Sequence, residues 1–210
     1  MSTLEQIKEA VVCGDAAKVQ EYTERAVAEG IEVAAIVNEG LIAGMSAIGA
    51  KFKNDEVFVP EVMIAARAMH VGMDILRPLI AGADIQEKTT VVIGTVKEDL
   101  HDIGKNLVVM MLEGAGYKVI DLGINVPPEK FIDAVQEYNA QIVGLSALLT
   151  TTMVHMKTTL EDLKSHYPHI KIMVGGAPVT DHFAKEINAD GFASDAASAV
   201  DLANELSACL

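Results

Sequence analysis

From residue 89 to the C-terminus, short apolar runs alternate five times with longer amphipathic segments, and this alternation restricts the fold more than any other feature. The apolar runs are Thr89–Val96, Tyr117–Leu122, Gln141–Leu148, Ile170–Val174 and the weaker Gly191–Ser194. The segments between and after them read as helices over about Ile103–Glu113, Pro128–Tyr138, Met153–His166, Thr180–Ile187 and Ala196–Leu206. Runs that are apolar throughout are strands covered on both faces. Five βα units in succession predict a flavodoxin-like, Rossmann-like α/β domain: a doubly wound parallel sheet of five strands with right-handed crossovers. The expected strand order is 2-1-3-4-5, with a ligand at the switch between the first and third strands.

The loop that leaves the first strand is Lys97-Glu98-Asp99-Leu100-His101-Asp102-Ile103-Gly104-Lys105-Asn106. It holds a histidine with a carboxylate two residues before it and a glycine three after it. An imidazole whose second nitrogen is held by a carboxylate is a prepared metal ligand or a prepared base. The matching loop after the third strand is Ser146-Ala147-Leu148-Leu149-Thr150-Thr151-Thr152, and Gly175-Gly176 follows the fourth. The expected order brings all three to one edge of the sheet. A hydroxyl near the aspartate could complete a His–Asp–Ser/Thr chain.

Residues 1–82 read as helix. Thr3-x-x-Gln6 suggests a capping box, and Gly14-Asp15 a helix end followed by a new N-cap. A second helix is expected over Ala16–Glu29, stopped by Gly30, and a third over Ile31–Phe52. Lys53-Asn54-Asp55-Glu56 reads as a loop, and Pro60 falls in the first turn of a fourth helix. Val62, Ala66, Met69, Met73 and Leu76 form one apolar stripe along it. Four helices with short connections predict a small bundle. The boundaries are then a helical-bundle cap domain at 1–82, a linker at 83–88 and an α/β domain at 89–210.

Composition removes several function classes. The chain carries 30 acidic against 16 basic residues, a net charge of -14, which argues against nucleic acid and against anionic membrane surfaces. Cys13 and Cys209 stand far apart, outside any Cys-x-x-Cys, which fits a reducing compartment and disfavours iron–sulfur or zinc sites. No basic N-terminal region precedes an apolar core, and no apolar run reaches 18 residues without a charge. A cytoplasmic protein with no membrane span is expected. No Gly-x-Ser-x-Gly elbow, Gly-x-Gly-x-x-Gly or P-loop is present, so a Ser-His-Asp hydrolase and a nucleotide-binding enzyme are disfavoured. A zinc centre needs more ligands than His101 and Asp99. His70, His155, His166, His169 and His182 have no ligand spacing and read as structural or surface residues.

Taken together, Asp99-Leu100-His101-Asp102-Ile103-Gly104-Lys105-Asn106, Ser146-Ala147-Leu148 and Gly175-Gly176 resemble the corrinoid-binding signature. That signature belongs to cobalamin-dependent methionine synthase and to the small corrinoid proteins of anaerobic methyltransferase systems. Asp121-Leu122-Gly123 and Val126-Pro127 fall where that family has its second strand end. Phe58-Val59-Pro60-Glu61-Val62 resembles the opening of its cap helix, and the likeness covers nearly the whole chain.

The resemblance implies cobalamin or a related corrinoid bound base-off/His-on: its lower base is displaced and His101 coordinates cobalt. Asp99 would hydrogen-bond the imidazole, and Thr152 would end the chain where methionine synthase has a serine. Loss of the cobalt–nitrogen bond would then be accompanied by proton uptake into the His–Asp–Thr chain. Gly104, Ser146, Leu148, Gly175 and Gly176 would line the slot for the nucleotide tail. Asp102, Ile103 and Thr150 belong to the same cofactor-binding loops. Phe52, Val59 and Val62 would cover the methyl-bearing face.

The implied function is a methyl carrier, a non-catalytic subunit with no substrate pocket of its own. A substrate-specific methyltransferase would load it from a methylamine, methanol or a methoxylated aromatic, the last an O-demethylase role. An acceptor methyltransferase would pass the methyl to tetrahydrofolate or coenzyme M, and a reductive activase would restore oxidised cobalt. Length argues against methionine synthase itself. The alternatives are a cobalamin-binding sensor or regulator, disfavoured by the lack of a DNA-binding module, and the cobalamin subunit of a carbon-skeleton mutase or aminomutase, disfavoured by the cap.

Overall fold

The computed structural model describes residues 1–80 and 88–210, and the chain divides into an N-terminal helical unit and an α/β unit that begins at Lys88. Of the expected linker at 83–88, residues 83–87 lie outside the described residues, and Lys88 already belongs to a strand.

The helical unit contains α1 (Thr3–Val12), α2 (Ala16–Ala28), α3 (Val33–Ala35), a π-helical stretch (Ile36–Ile42), α4 (Ala43–Lys53) and α5 (Val59–Ile80). Because α3, the π-helical stretch and α4 run on without a break, they form one rod, and the unit has the four rods expected. The capping box is one residue earlier than the sequence suggested. Ser2 Oγ accepts from the Glu5 N–H at 3.2 Å, and the Ser2 N–H donates to Glu5 Oε2 at 2.8 Å. Thr3 is already helical, and its hydroxyl reaches Glu29 Oε2 at 2.8 Å instead. Asp15 caps α2 by accepting from the Lys18 N–H at 3.1 Å.

The π-helical stretch has no signal in the sequence pattern. It lies in a rod that brings two glycines against α1. A Cβ on Gly40 would stand 3.0 Å from Ile7 Cγ2, and one on Gly44 would stand 2.7 Å from Val11 Cβ. The helix Val33–Lys53 is long and apolar enough to cross a membrane by length and composition alone, although 44% of its apolar 18-residue window is buried within the protein. Ile36, Leu41, Met45 and Ile48 of this rod are core residues, as are Val62, Ala66, Met69 and Leu76 of the α5 stripe.

The α/β unit follows the expected alternation: β1 (Lys88–Thr95), α6 (Ile103–Gly114), β2 (Tyr117–Asp121), α7 (Pro128–Tyr138), β3 (Ile142–Ser146), α8 (Met153–His166), β4 (Lys171–Gly175), α9 (Asp181–Glu186), β5 (Gly191–Ala193) and α10 (Ala196–Ser207). Element ends differ from the sequence reading by one or two residues. All pairings are parallel and the order is β2-β1-β3-β4-β5, as expected. Val91 and Val92 in β1 and Ile142 and Val143 in β3 are completely buried, which is why these strands are apolar on both faces.

The largest fully buried side chain is Phe131 of α7. It lies over β1 where Gly94 leaves room, since a Cβ there would meet Phe131 Cζ at 2.8 Å. Phe131→Ala should lower unfolding free energy by about 3–5 kcal/mol, because the ring's contacts vanish and a cavity remains. A urea midpoint unchanged from the parent would show that α7 does not depend on this ring.

Candidate functional site

Strands β1 and β3 are neighbours, yet the crossovers from their C-terminal ends go to opposite sides of the sheet. The loops that follow them therefore open a crevice, and the first loop carries Asp99 into it. Asp99 is completely buried. Its Oδ1 accepts from the His101 N–H at 3.1 Å and lies 2.9 Å from His101 Nδ1. Its Oδ2 accepts from the Thr152 hydroxyl at 2.6 Å and from the N–H groups of Leu148 and Leu149 at 2.8 and 3.3 Å. Burial by itself would raise the pKa of this carboxyl. The Thr152 hydroxyl, the His101 ring and the Leu148 and His101 amides outweigh burial together and hold it well below the usual carboxylate range.

An ionised Asp99 only accepts, so His101 Nδ1 is the donor in their hydrogen bond. In the neutral imidazole this fixes the tautomer that leaves the Nε2 lone pair available. Nε2 has no hydrogen-bond partner among the described residues, and the His101 side chain is 50% exposed. Thr152 is buried and also lies 2.9 Å from the Leu149 carbonyl, on the opposite carboxylate oxygen of Asp99 from His101. The expected His–Asp–Thr chain is thus continuous from Nδ1 to the Thr152 hydroxyl.

The remaining predicted residues fall in two groups. Around the crevice, Asp102 accepts from the Asn106 side chain at 3.1 Å, at the start of α6. Ile103 is 84% exposed. Ser146 ends β3, where its carbonyl accepts from the Val96 N–H at 3.0 Å. Leu148 and Thr150 are exposed on the same loop, and Gly175 and Gly176 close β4. Phe52, Val59 and Val62 belong to the helical unit. Phe52 is half-buried and Val59 is at the edge of exposure, but Val62 is completely buried in that unit's core. The apolar residues exposed near the start of α5 are Phe58, Val59, Met63 and Ile64.

Two glycines differ in what requires them. At Gly176, φ is +130° and a Cβ would stand 1.9 Å from the Ala147 carbonyl oxygen, so the chain itself excludes a side chain. At Gly104 no described atom lies within 4 Å of a Cβ position and φ is ordinary. Nothing within the protein demands glycine there, which leaves room for a group from outside to approach the backbone.

Several contributors escaped the sequence reading. The amides of Leu148 and Leu149 serve Asp99, and a main-chain donor leaves no mark in the side chains. Thr95, at the end of β1, donates its hydroxyl to the His101 carbonyl at 2.8 Å. Lys105 is almost fully buried, with Nζ 2.5 Å from Asp121 Oδ2 and 2.8 Å from Asn106 Oδ1. His155, read as structural, has Nε2 3.4 Å from Glu98 Oε2. A lysine followed by asparagine in the first turn of α6 was the available signal for the buried ion pair.

Two family models, each described as a B12 binding domain, match residues 89–201 and residues 3–77. The chain belongs to the B12-binding family. Among its B12-binding relatives, a corrinoid protein of Desulfitobacterium hafniense (strain Y51) is 44% identical over 211 residues, covering 98% of each chain. Dimethylamine corrinoid protein 2 of Methanosarcina acetivorans is 41% identical over 206 residues, covering 97% of this chain and 95% of its own. Among solved structures, the methanol:cobalamin methyltransferase complex MtaBC from Methanosarcina barkeri matches with a TM-score of 0.90 at 31% identity, over 99% of this chain and 80% of that one.

The residues present fit a B12-type cofactor. No group of three or more His, Cys, Asp or Glu side chains able to hold a metal ion occurs among the described residues. A metal bound at His101 must therefore bring its other ligands with it, as the cobalt of a corrin does. The surroundings suit a large, partly apolar ligand. Leu100, Ile103, Ile124, Leu148 and Leu149 are all exposed in the loops at this edge of the sheet, and clustered exposed apolar side chains mark binding surfaces.

Proposed function

We propose that this chain is a methyl-carrying corrinoid protein that shuttles between a donor methyltransferase and an acceptor methyltransferase. The observation that carries this reading is His101: a half-exposed imidazole fixed through Nδ1 by a buried carboxylate, with Nε2 left to ligate. The near-full-length relatives named as corrinoid proteins support it. The name of the dimethylamine protein among them supports a methylated amine as the donor, ahead of methanol and methoxylated aromatics. The methyltransferase complex that the chain resembles supports a methyltransferase partner. Tetrahydrofolate or coenzyme M as acceptor, and a reductive activase, follow from the same reading.

When bound, the corrinoid supplies a cobalt centre that accepts a methyl group when reduced and releases it to a nucleophile. The chain's own residues govern how that centre is held. Asp99, kept ionised, fixes the imidazole tautomer and raises its basicity. Thr152 donates to the other carboxylate oxygen and so keeps Asp99 from turning away. The His101–Asp99–Thr152 chain can also accommodate a proton when Nε2 is released. Gly104, Ser146, Leu148, Gly175 and Gly176 would hold the nucleotide tail, with Asp102, Ile103 and Thr150 in the same loops. Phe52, Val59 and Val62 of the helical unit are the residues proposed to face the methyl group.

Hydroxocobalamin mixed with the protein anaerobically, desalted and reduced with titanium(III) citrate should stay bound and give a Co(I) spectrum. That spectrum should then respond to a methylated amine with its methyltransferase. Loss of all colour on desalting would remove the carrier reading. His101→Ala should lose the axial imidazole, visible as a shift of the bound spectrum toward the unligated form. An identical spectrum from parent and variant would show that His101 is not the axial ligand.

A further inference from the structure

The segment that carries Asp99 and His101 begins with a residue in an unfavoured conformation. Glu98 has φ +66°, the left-handed region that residues with a Cβ usually avoid. Such a conformation persists only where its surroundings hold it. What holds it comes from the loop after β2, 27 residues away. Asn125 Oδ1 accepts from the Glu98 N–H at 2.8 Å, and the Asn125 N–H donates to the Asp99 carbonyl at 2.9 Å. Asn125 itself has φ +52°, which asparagine tolerates better than most residues. The other end of the segment is fixed by the Thr95 hydroxyl on the His101 carbonyl. Three hydrogen bonds thus grip the main chain at residues 98, 99 and 101.

Asn125 is exposed, and an exposed loop asparagine ordinarily completes a turn within its own loop. This one instead directs both its side chain and its main-chain N–H across to the loop after β1. We infer that Asn125 is a positioning residue for the axial histidine. It fixes the loop path along which Asp99 meets His101 Nδ1, and its hydrogen bonds go to the main chain and not to the imidazole. The inference rests on the assignment of His101 as the cobalt ligand.

Two substitutions separate the hydrogen bond from the backbone conformation. Asn125→Gly keeps the positive φ and loses the acceptor, whereas Asn125→Asp keeps both. In the corrinoid-free protein, the Glu98 amide of Asn125→Gly should exchange with solvent about tenfold faster than in the parent, the worth of one net hydrogen bond. The His101 amide should also speed up, while the β4 amides keep their rates. In protein loaded with cob(II)alamin, a smaller share of the electron paramagnetic resonance signal should carry the splitting from one axial nitrogen. Asn125→Asp should restore both readouts. Parent-like exchange at Glu98 and His101 in Asn125→Gly would overturn the inference, and so would faster exchange with an unchanged nitrogen-split share. Absence of nitrogen splitting in the parent would instead overturn the His101 assignment, and the exchange rates would still report whether Asn125 holds the loop.

Discussion

Asp99→Ala should destabilise the corrinoid-free protein by about 3–5 kcal/mol, because it removes one buried acceptor that several donors share. The Leu148 and His101 amides lose this acceptor, and the Thr152 hydroxyl is left with the Leu149 carbonyl alone, in a site where Asp99 is completely buried. Urea unfolding measures this directly, and a loss below about 1 kcal/mol would mean that water replaces the carboxylate at little cost. The same residue predicts a pH dependence. Its folded pKa lies below its unfolded value of 3.8. The unfolded chain therefore binds the proton first as pH falls. The stability from this carboxylate is fully present well above pH 3.8 and is lost as pH drops toward the lower folded pKa. Asp99→Asn, which keeps an acceptor but cannot titrate, should show a shallower acid limb by about 2 kcal/mol. Parallel acid limbs for parent and variant would contradict the depressed pKa.

Gly176→Ala is expected to cost about 4 kcal/mol or more, or to prevent folding, because two independent penalties coincide. Its φ of +130° disfavours any side chain, and the new methyl would stand 1.9 Å from the Ala147 carbonyl oxygen. Backbone cannot step aside as a flexible side chain can, so the loops after β3 and β4 would have to separate. Gly104→Ala makes the contrast. With open space around it and an ordinary φ, its melting temperature should stay near the parent's while retention of cobalamin on desalting falls. A tolerated Gly176→Ala would show that the β3 and β4 loops yield easily. A Gly104→Ala variant that keeps cobalamin as well as the parent would show that the cofactor does not approach the backbone there.

The fold was legible because burial on both faces makes parallel strands apolar throughout, and the five runs stood out against amphipathic helices. Gly14, Asp15 and Gly30 punctuated the first helices for local reasons that need no tertiary information. The capping box was displaced by one residue because Ser2 and Thr3 can both cap, and only the path of the chain selects between them. The π-helical stretch Ile36–Ile42 was not legible, since its residues satisfy an ordinary helical pattern equally well.

By itself, the sequence determined the alternation of strands and helices, the switch point, and the pairing of Asp99 with His101 two residues on. These are local or periodic properties, set by spacing and by the chemistry of single side chains. Only the tertiary structure decided that Thr152 and the Leu148 and Leu149 amides converge on the far oxygen of Asp99, 49 to 53 residues away in the chain. It alone decided that Asn125 grips the loop from across the β2 crossover. Such contacts arise where strands made neighbours by the sheet end side by side, and main-chain donors leave no trace in the order of the side chains.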